Sequence, residues 1–130
     1  MHITGIYAAL SVLLVLALAA RISQKRHGAH IGIGDGGDRD MTLRIRAHAN
    51  ALENLPLALL LLLLLDLDQL ATSWLHVFGI TLVLGRVMHA VGLSRTAGYS
   101  FGRFVGTILT WGVMAVMAVL LLWRAIALQL

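Results

Sequence analysis

The sequence predicts an all-α integral membrane protein, a four-helix bundle, and three observations carry that prediction. Hydrophobic residues make up 59% of the 130-residue chain and charged residues only 12%, with a mean hydropathy of +0.88. Soluble domains run at about 45–50% and about 25%. Four apolar stretches, about 3–21, 41–65, 71–93 and 98–128, each have the length to cross a hydrocarbon core of about 30 Å at about 1.5 Å per residue. The basic residues, finally, gather in two of the three connections between those stretches. The expectation is one transmembrane domain over residues 1–130.

The chain has no cysteine. Disulfides, thiolate metal sites and cysteine nucleophiles are therefore excluded, and any thiol must arrive with a substrate. A net charge of +4 and a pI near 10.7 would fit nucleic acid in a soluble protein. Here the cations flank membrane spans, where they orient the chain and meet anionic headgroups or ligands. The lipid bilayer is the expected partner, and nucleic acid is not.

The first span, Ile3 to Ala20, lacks the basic amino end of a signal peptide and is followed, not preceded, by Arg21, Lys25 and Arg26. Those residues are expected to end it. The segment from His27 to Asp40 holds Gly32-x-Gly34-x-x-Gly37. That dinucleotide fingerprint has meaning only after a strand and at the opening of a helix in a βαβ unit. Between two membrane helices it reads as a flexible connector, with partial closure over a ligand as the alternative. The second span starts near Met41, with Asp40 or Thr42 as its cap. Pro56 removes one backbone donor and frees the Leu52 carbonyl, which predicts a bend near Glu53. Asp66, Asp68 and Gln69 form a short acidic turn. Trp74 and His76 open the third span as interfacial anchors, and Trp123 and Arg124 close the fourth.

Orientation follows from the cations. Arg21, Lys25, Arg26, Arg39, Arg44 and Arg46 surround the first connection, Arg95 and Arg103 the third, and none lies in the second. The basic sides should be cytoplasmic, with both termini opposite.

One stretch does not belong in lipid. Arg46, Asn50 and Glu53, at i, i+4 and i+7, share a helix face. A charge inside the bilayer costs about 2.5–3.5 kcal/mol on insertion scales, so this face must meet protein, water or a ligand. Arg86 and His89, three apart on the third span, lie at a similar depth. An ion pair between Glu53 and Arg86 is the cheapest way to hold both charges, either as packing alone or as part of a site. Arg21, Arg95 and Arg103 reach the same level, more positive charge than one glutamate neutralises, and the surplus asks for an anionic ligand or headgroup. Gly98, Gly102, Gly106 and Thr110 repeat every fourth residue, the small-residue pattern of close helix packing in lipid. Thr107 and Thr110 are expected to bond their own backbone, and Met114 and Met117 to pack the bundle. No histidine pair has metal spacing.

Arg46-Ala-His-x-Asn50-x-x-Glu53-x-x-Pro56, then Gly85-Arg86-Val-x-His89 and a later Arg103, resemble the MAPEG superfamily, membrane-associated proteins in eicosanoid and glutathione metabolism. The resemblance spans nearly the whole chain. It implies a homotrimer that binds glutathione between neighbouring subunits in the cytoplasmic half. Arg21, Arg46, Asn50, Glu53, His89 and Arg103 match the family's glutathione contacts, and Arg103 matches the arginine that holds the thiolate. Leu93 stands where synthase-type members carry a tyrosine, and Phe104 follows Arg103 where they carry a hydroxyl. The resemblance thus implies a generic detoxification enzyme of a minimal, bacterial inner-membrane type. It would be a glutathione transferase, with peroxidase activity as a second outcome, acting on lipophilic small molecules. The alternative is a non-catalytic scaffold or glutathione-binding module of the same fold. A proton or ion path along Glu53, His89 and Arg86 is disfavoured, because the far halves of spans one and two read as having essentially no polar residues.

Overall fold

The computed structural model describes residues 3–95 and 98–127. Among them lie four helices, α1 (Thr4–Ala29), α2 (Arg39–Leu67), α3 (Thr72–Arg95) and α4 (Phe101–Ala127), each long and apolar enough to cross a membrane. The chain is an integral, multi-pass membrane protein. The expected end of the fourth helix at Leu128 lies outside the described residues.

Helix α1 outruns its expected end at Arg21 by two turns. Arg, Gln and Lys are good helix formers, so the charges mark where the hydrocarbon stops and leave the helix intact. Its 26 residues rise about 39 Å against about 30 Å of hydrocarbon, so the basic turns project beyond the lipid core. The helix closes at His30 in the left-handed conformation, with Ile31 N–H bonded back to the Arg26 carbonyl at 3.1 Å.

Helix α2 begins two residues before its expected start, and this changes its cap. Asp38, not Asp40 or Thr42, accepts the Met41 N–H at 2.9 Å. Thr42 instead donates to Asp35 at 2.8 Å, and Asp40 binds Arg44 at 3.0 Å within the first turn. The glycine-rich segment is an ordered connector: Gly37, at φ 74°, donates its N–H to Asp35. Lys25 Nζ reaches Asp38 at 2.8 Å and ties the connector to α1. The Lys25 hydrogen bond, then the Met41 N–H, hold the Asp38 carboxyl below the usual carboxylate range. Its contribution to stability is thus complete at neutral pH and fades as pH falls through the lowered folded-state pKa, below about 4. Asp38→Ala should lower the hydrogen-exchange protection factors of the Met41 and Thr42 amides severalfold, each taken against the intrinsic rate at the same pH, and acid should lower them likewise in the unsubstituted protein but not further in the variant.

The acidic turn also has structural work that its sequence does not announce. Asp66 accepts the Thr4 N–H at 2.8 Å and places an anion at the start of α1, while Asp68 binds Arg124 of α4. His76 is not only an interfacial anchor: its Nδ1 lies 2.6 Å from the Tyr7 hydroxyl. Thr4, Tyr7 and Ser11 are buried along one face of α1, a polar far half that the sequence reading denied to this helix. Buried Leu18, Leu55, Ala58 and Leu82 belong to the core between this stripe and the charged half of the bundle.

Helix α3 is the most buried of the four and contacts all the others, whereas α1 and α4 do not touch among the described residues. The closest approach is between α3 and α4 along two pairs of glycines. A Cβ at Gly106 would stand 2.5 Å from both the Gly85 carbonyl oxygen and the His89 nitrogen, and one at Gly92 would run into the Arg103 backbone nitrogen. The small-residue stripe expected on the fourth span is therefore packing, as the pattern implies. Its complement on α3, Gly85 and Gly92, went unread in the sequence. Thr107 and Thr110 bond the carbonyls of Arg103 and Gly106 at 2.9 and 2.8 Å, and Met117 is fully buried, both as expected. Gly98, Tyr99 and Ser100 precede α4 instead of opening it, and the Ser100 hydroxyl caps the helix by accepting the Arg103 N–H at 3.2 Å.

Candidate functional site

The register of α2 against α4 decides which functional side chains share a level. Trp111 Nε1 donates to Asn54 Oδ1 at 3.2 Å across 57 residues, and Arg124 donates to Asp68 across 56. Two ties with nearly the same offset mean that the helices run parallel without slipping, because each residue rises about 1.5 Å in both. The same offset carries Arg46 to Arg103 and Asn50 to Thr107. These residues therefore occupy matching depths.

Helix α3 runs antiparallel through that layer and inserts a cation into it. Arg86 is 3% exposed, and its Nη1 donates to Asn50 twice, to Oδ1 at 2.9 Å and to the carbonyl oxygen at 3.3 Å. The expected Glu53–Arg86 ion pair does not form. Asn50 points toward α3, whereas Glu53 and Arg46 lie roughly 40–60° further round the helix at about 100° per residue, away from the core, and both are exposed. The buried guanidinium is thus held by neutral amide oxygens, and its Nε has no hydrogen-bond partner among the described residues. A buried donor left unpaired costs about 1–3 kcal/mol, more for a charged group, so this nitrogen is a standing demand for an acceptor.

His89 sits one turn nearer the connector end, 5% exposed, with its backbone against Gly106 and its ring within electrostatic reach of Arg86 and Arg103. Asn50, Arg86 and His89 are therefore brought together inside one chain. Arg103 opens α4 on the outer side, where its Nη1 meets the Gly98 carbonyl at 3.4 Å. It lines a groove of about 500 Å³ with Tyr99, Ser100, Phe104, Thr107 and Trp111. All the residues of that groove come from α4 and the segment before it, so a single chain supplies one wall.

Arg21 reaches the layer by a relay. Its Nη1 donates to Ser94 Oγ at 3.0 Å, and its carbonyl oxygen accepts from Arg44 Nη1 at 2.9 Å, which joins α1, α2 and α3 at the connector end. Of the six residues expected from the sequence, Asn50 and His89 face inward, Arg21 is held at the three-helix junction, and Arg46, Glu53 and Arg103 are presented outward. Reasoning from sequence gave no partner to Arg44, which with Ser94 holds Arg21, or to Asn54, which with Trp111 fixes the register. Arg44 and Asn54 carried a signal as polar residues of a membrane helix, whereas Ser94 and Trp111 carried none.

Chemically, the layer holds a surplus of guanidinium groups around one exposed carboxylate, Glu53, with a buried donor still unpaired. Such a set is chemically complementary to an anion that also carries one positive group. A family model, that of the MAPEG family, matches residues 4–123. A comparison with curated proteins gives no match.

Proposed function

The chain belongs to the MAPEG family, and from that premise we propose that it is a membrane-bound glutathione transferase, with peroxidase activity on lipophilic hydroperoxides as a second outcome. Family membership goes with a membrane function in glutathione or eicosanoid chemistry. The observation that supports the finer reading is the division of the charged layer into two outward-facing halves. Arg46 and Glu53 are presented on α2, and Arg103 with its groove on α4.

Neither half is stable against lipid, since each exposed charge at membrane depth costs about 2.5–3.5 kcal/mol. The two halves differ, so copies of the chain that join them do so head to tail, and a head-to-tail contact that closes makes a ring. We take that ring to be a homotrimer, with glutathione held where α2 of one copy meets α4 of the next. The site lies toward the cytoplasm of a bacterial inner membrane, both termini are on the opposite side, and residues 1–130 act as a single domain.

Glutathione fits the residues present. It has two carboxylates and a thiol for the arginines, and one ammonium group for Glu53. Arg21, Arg46 and Asn50 hold its polar ends, the arginines by charge-assisted bonds. Arg103 lies beside the sulfur and favours its ionised form, and buried Arg86, next to His89, supplies the positive floor. A free thiol with a pKa of about 8.5 is only a few per cent ionised at neutral pH. When bound, glutathione supplies the nucleophilic sulfur: a carbon electrophile gives the thioether as its leaving group departs, and a hydroperoxide is cleaved at O–O to alcohol and water while two glutathiones are oxidised to the disulfide. The membrane-facing groove with Phe104, Ile108 and Trp111 excludes water from that sulfur and receives the lipophilic partner.

Titration of the purified protein with glutathione should raise thiolate absorbance, and an added aryl halide should be conjugated. A flat titration with no product would reject the proposal. Glu53→Gln should weaken glutathione binding roughly tenfold, the value of a lost charge-assisted bond, and leave the thiolate fraction at saturation unchanged.

A second reading has two observations in its favour. Leu93 is buried in the core where a hydroxyl would serve a synthase, and Phe104 follows Arg103, so the chain could hold glutathione without turning it over. Calorimetric binding with neither conjugation nor peroxide reduction would select this non-catalytic module.

A further inference from the structure

Away from the charged layer, about 18–30 Å along α4 from Arg103 at about 1.5 Å per residue, a second cavity has no part in the proposed chemistry. It is an apolar groove of about 720 Å³ between α3 and α4, with Trp74, Phe78, Val116, Val119 and Trp123 among its walls. That volume falls within the range of about 300–1,000 Å³ typical of small-molecule sites. Phe78 is buried beneath it, while Trp74 and Trp123 stand 55% and 72% exposed, as aromatic residues do at a membrane interface.

The groove has a polar neighbour. A smaller cavity of about 300 Å³ is lined by Asp68, Trp123, Arg124 and Ala127, and Trp123 is the wall the two share. Arg124 donates Nε to Asp68 Oδ2 and Nη2 to the Asp68 carbonyl oxygen. Among the described residues, Arg124 Nη1 and Asp68 Oδ1 make no hydrogen bond, and the two side chains remain 34% and 30% exposed. One positive and one negative group are thus fixed side by side, each with an unused valence, next to the end of a greasy groove.

We propose that this double cavity is a binding site for one zwitterionic phospholipid with a primary ammonium headgroup. The phosphate lies against Arg124, the ammonium against Asp68, and one acyl chain fills the groove between α3 and α4. The charges select this occupant over the others available. An anionic glycerol headgroup would satisfy Arg124 and be repelled by Asp68. A choline headgroup brings a quaternary nitrogen with no N–H to donate. A helix from a second copy would fill the apolar part and leave both charges uncomplemented.

The test is native mass spectrometry of the intact, delipidated assembly titrated with phosphatidylethanolamine, phosphatidylcholine or phosphatidylglycerol. Phosphatidylethanolamine should be retained roughly fivefold more tightly than either of the others, as one half-exposed ion pair allows. Asp68→Asn should erase that preference, and Val119→Trp, which fills the groove, should lower retention of all three lipids without changing glutathione binding. Equal retention of the three lipids by the unsubstituted protein would overturn the proposal, whether or not either variant folds. A change of subunit number in Val119→Trp would overturn it too, because the groove would then be an interface between copies.

Discussion

Arg103→Ala should lower the second-order rate of glutathione conjugation by about 10²–10³-fold, the usual effect of removing one preorganised donor from a developing or resident anion. Glutathione binding should change far less, because Arg21, Arg46 and Glu53 would still hold its ends. The pH dependence separates this role from a merely structural one. If Arg103 favours the thiolate, its loss moves the ionisation of the bound thiol up toward the free value of about 8.5. The rate deficit should then be largest at neutral pH and shrink as pH rises past that value. Arg103→Lys should restore part of the rate by returning the charge without the forked donor geometry. Stopped-flow conjugation kinetics from pH 6 to 10 check this, and an unchanged pH profile in the alanine variant would remove Arg103 from the chemistry.

Gly106→Val should cost at least about 3 kcal/mol, the upper part of the usual range for overpacking. The reason is what the new side chain would strike. A Cβ there stands 2.5 Å from a carbonyl oxygen of Gly85 and from the His89 nitrogen. Both are backbone atoms of a helix, which cannot rotate away as a side chain would. Helices α3 and α4 must separate, and His89 moves away from Arg103 as they do. The thermal midpoint in detergent should drop and glutathione binding should weaken together. Gly112 is the control, since nothing lies within 4 Å of its would-be Cβ. Gly112→Ala should leave both quantities unchanged or raise the midpoint slightly, by removing a glycine from a helix interior.

The four helices were legible because lipid imposes one demand, a long apolar stretch, and the chain meets it four times. Their ends were less so. Arg21, Lys25 and Arg26 stop the apolar run without stopping the helix, and the cap at Asp38 lay three residues before the first apolar one. The charged layer was legible in outline, because Arg46, Asn50 and Glu53 repeat at helical spacing in a place where charge is costly. What spacing could not give was direction around the helix. A difference of roughly 40–60° sends Glu53 outward and leaves Asn50 to meet Arg86, so the pairing drawn between the two charges falls instead to a neutral amide. The glycines of α3 were unreadable for a related reason. A Gly85 or Gly92 among apolar residues has no pattern of its own until the helix that presses against it is in view.

The turn between α2 and α3 has a consequence for how the protein is made. Only residues 68–71 separate the two helices, and α3 carries Arg86 and His89 inside its span. Entering the bilayer alone, it would carry a bare guanidinium into hydrocarbon. Entering as a hairpin with α2, it already has the Asn50 oxygens across from Arg86. The short turn thus favours entry of the two helices as one hairpin, and lengthening it should lower the fraction of chains in which the third helix reaches the bilayer.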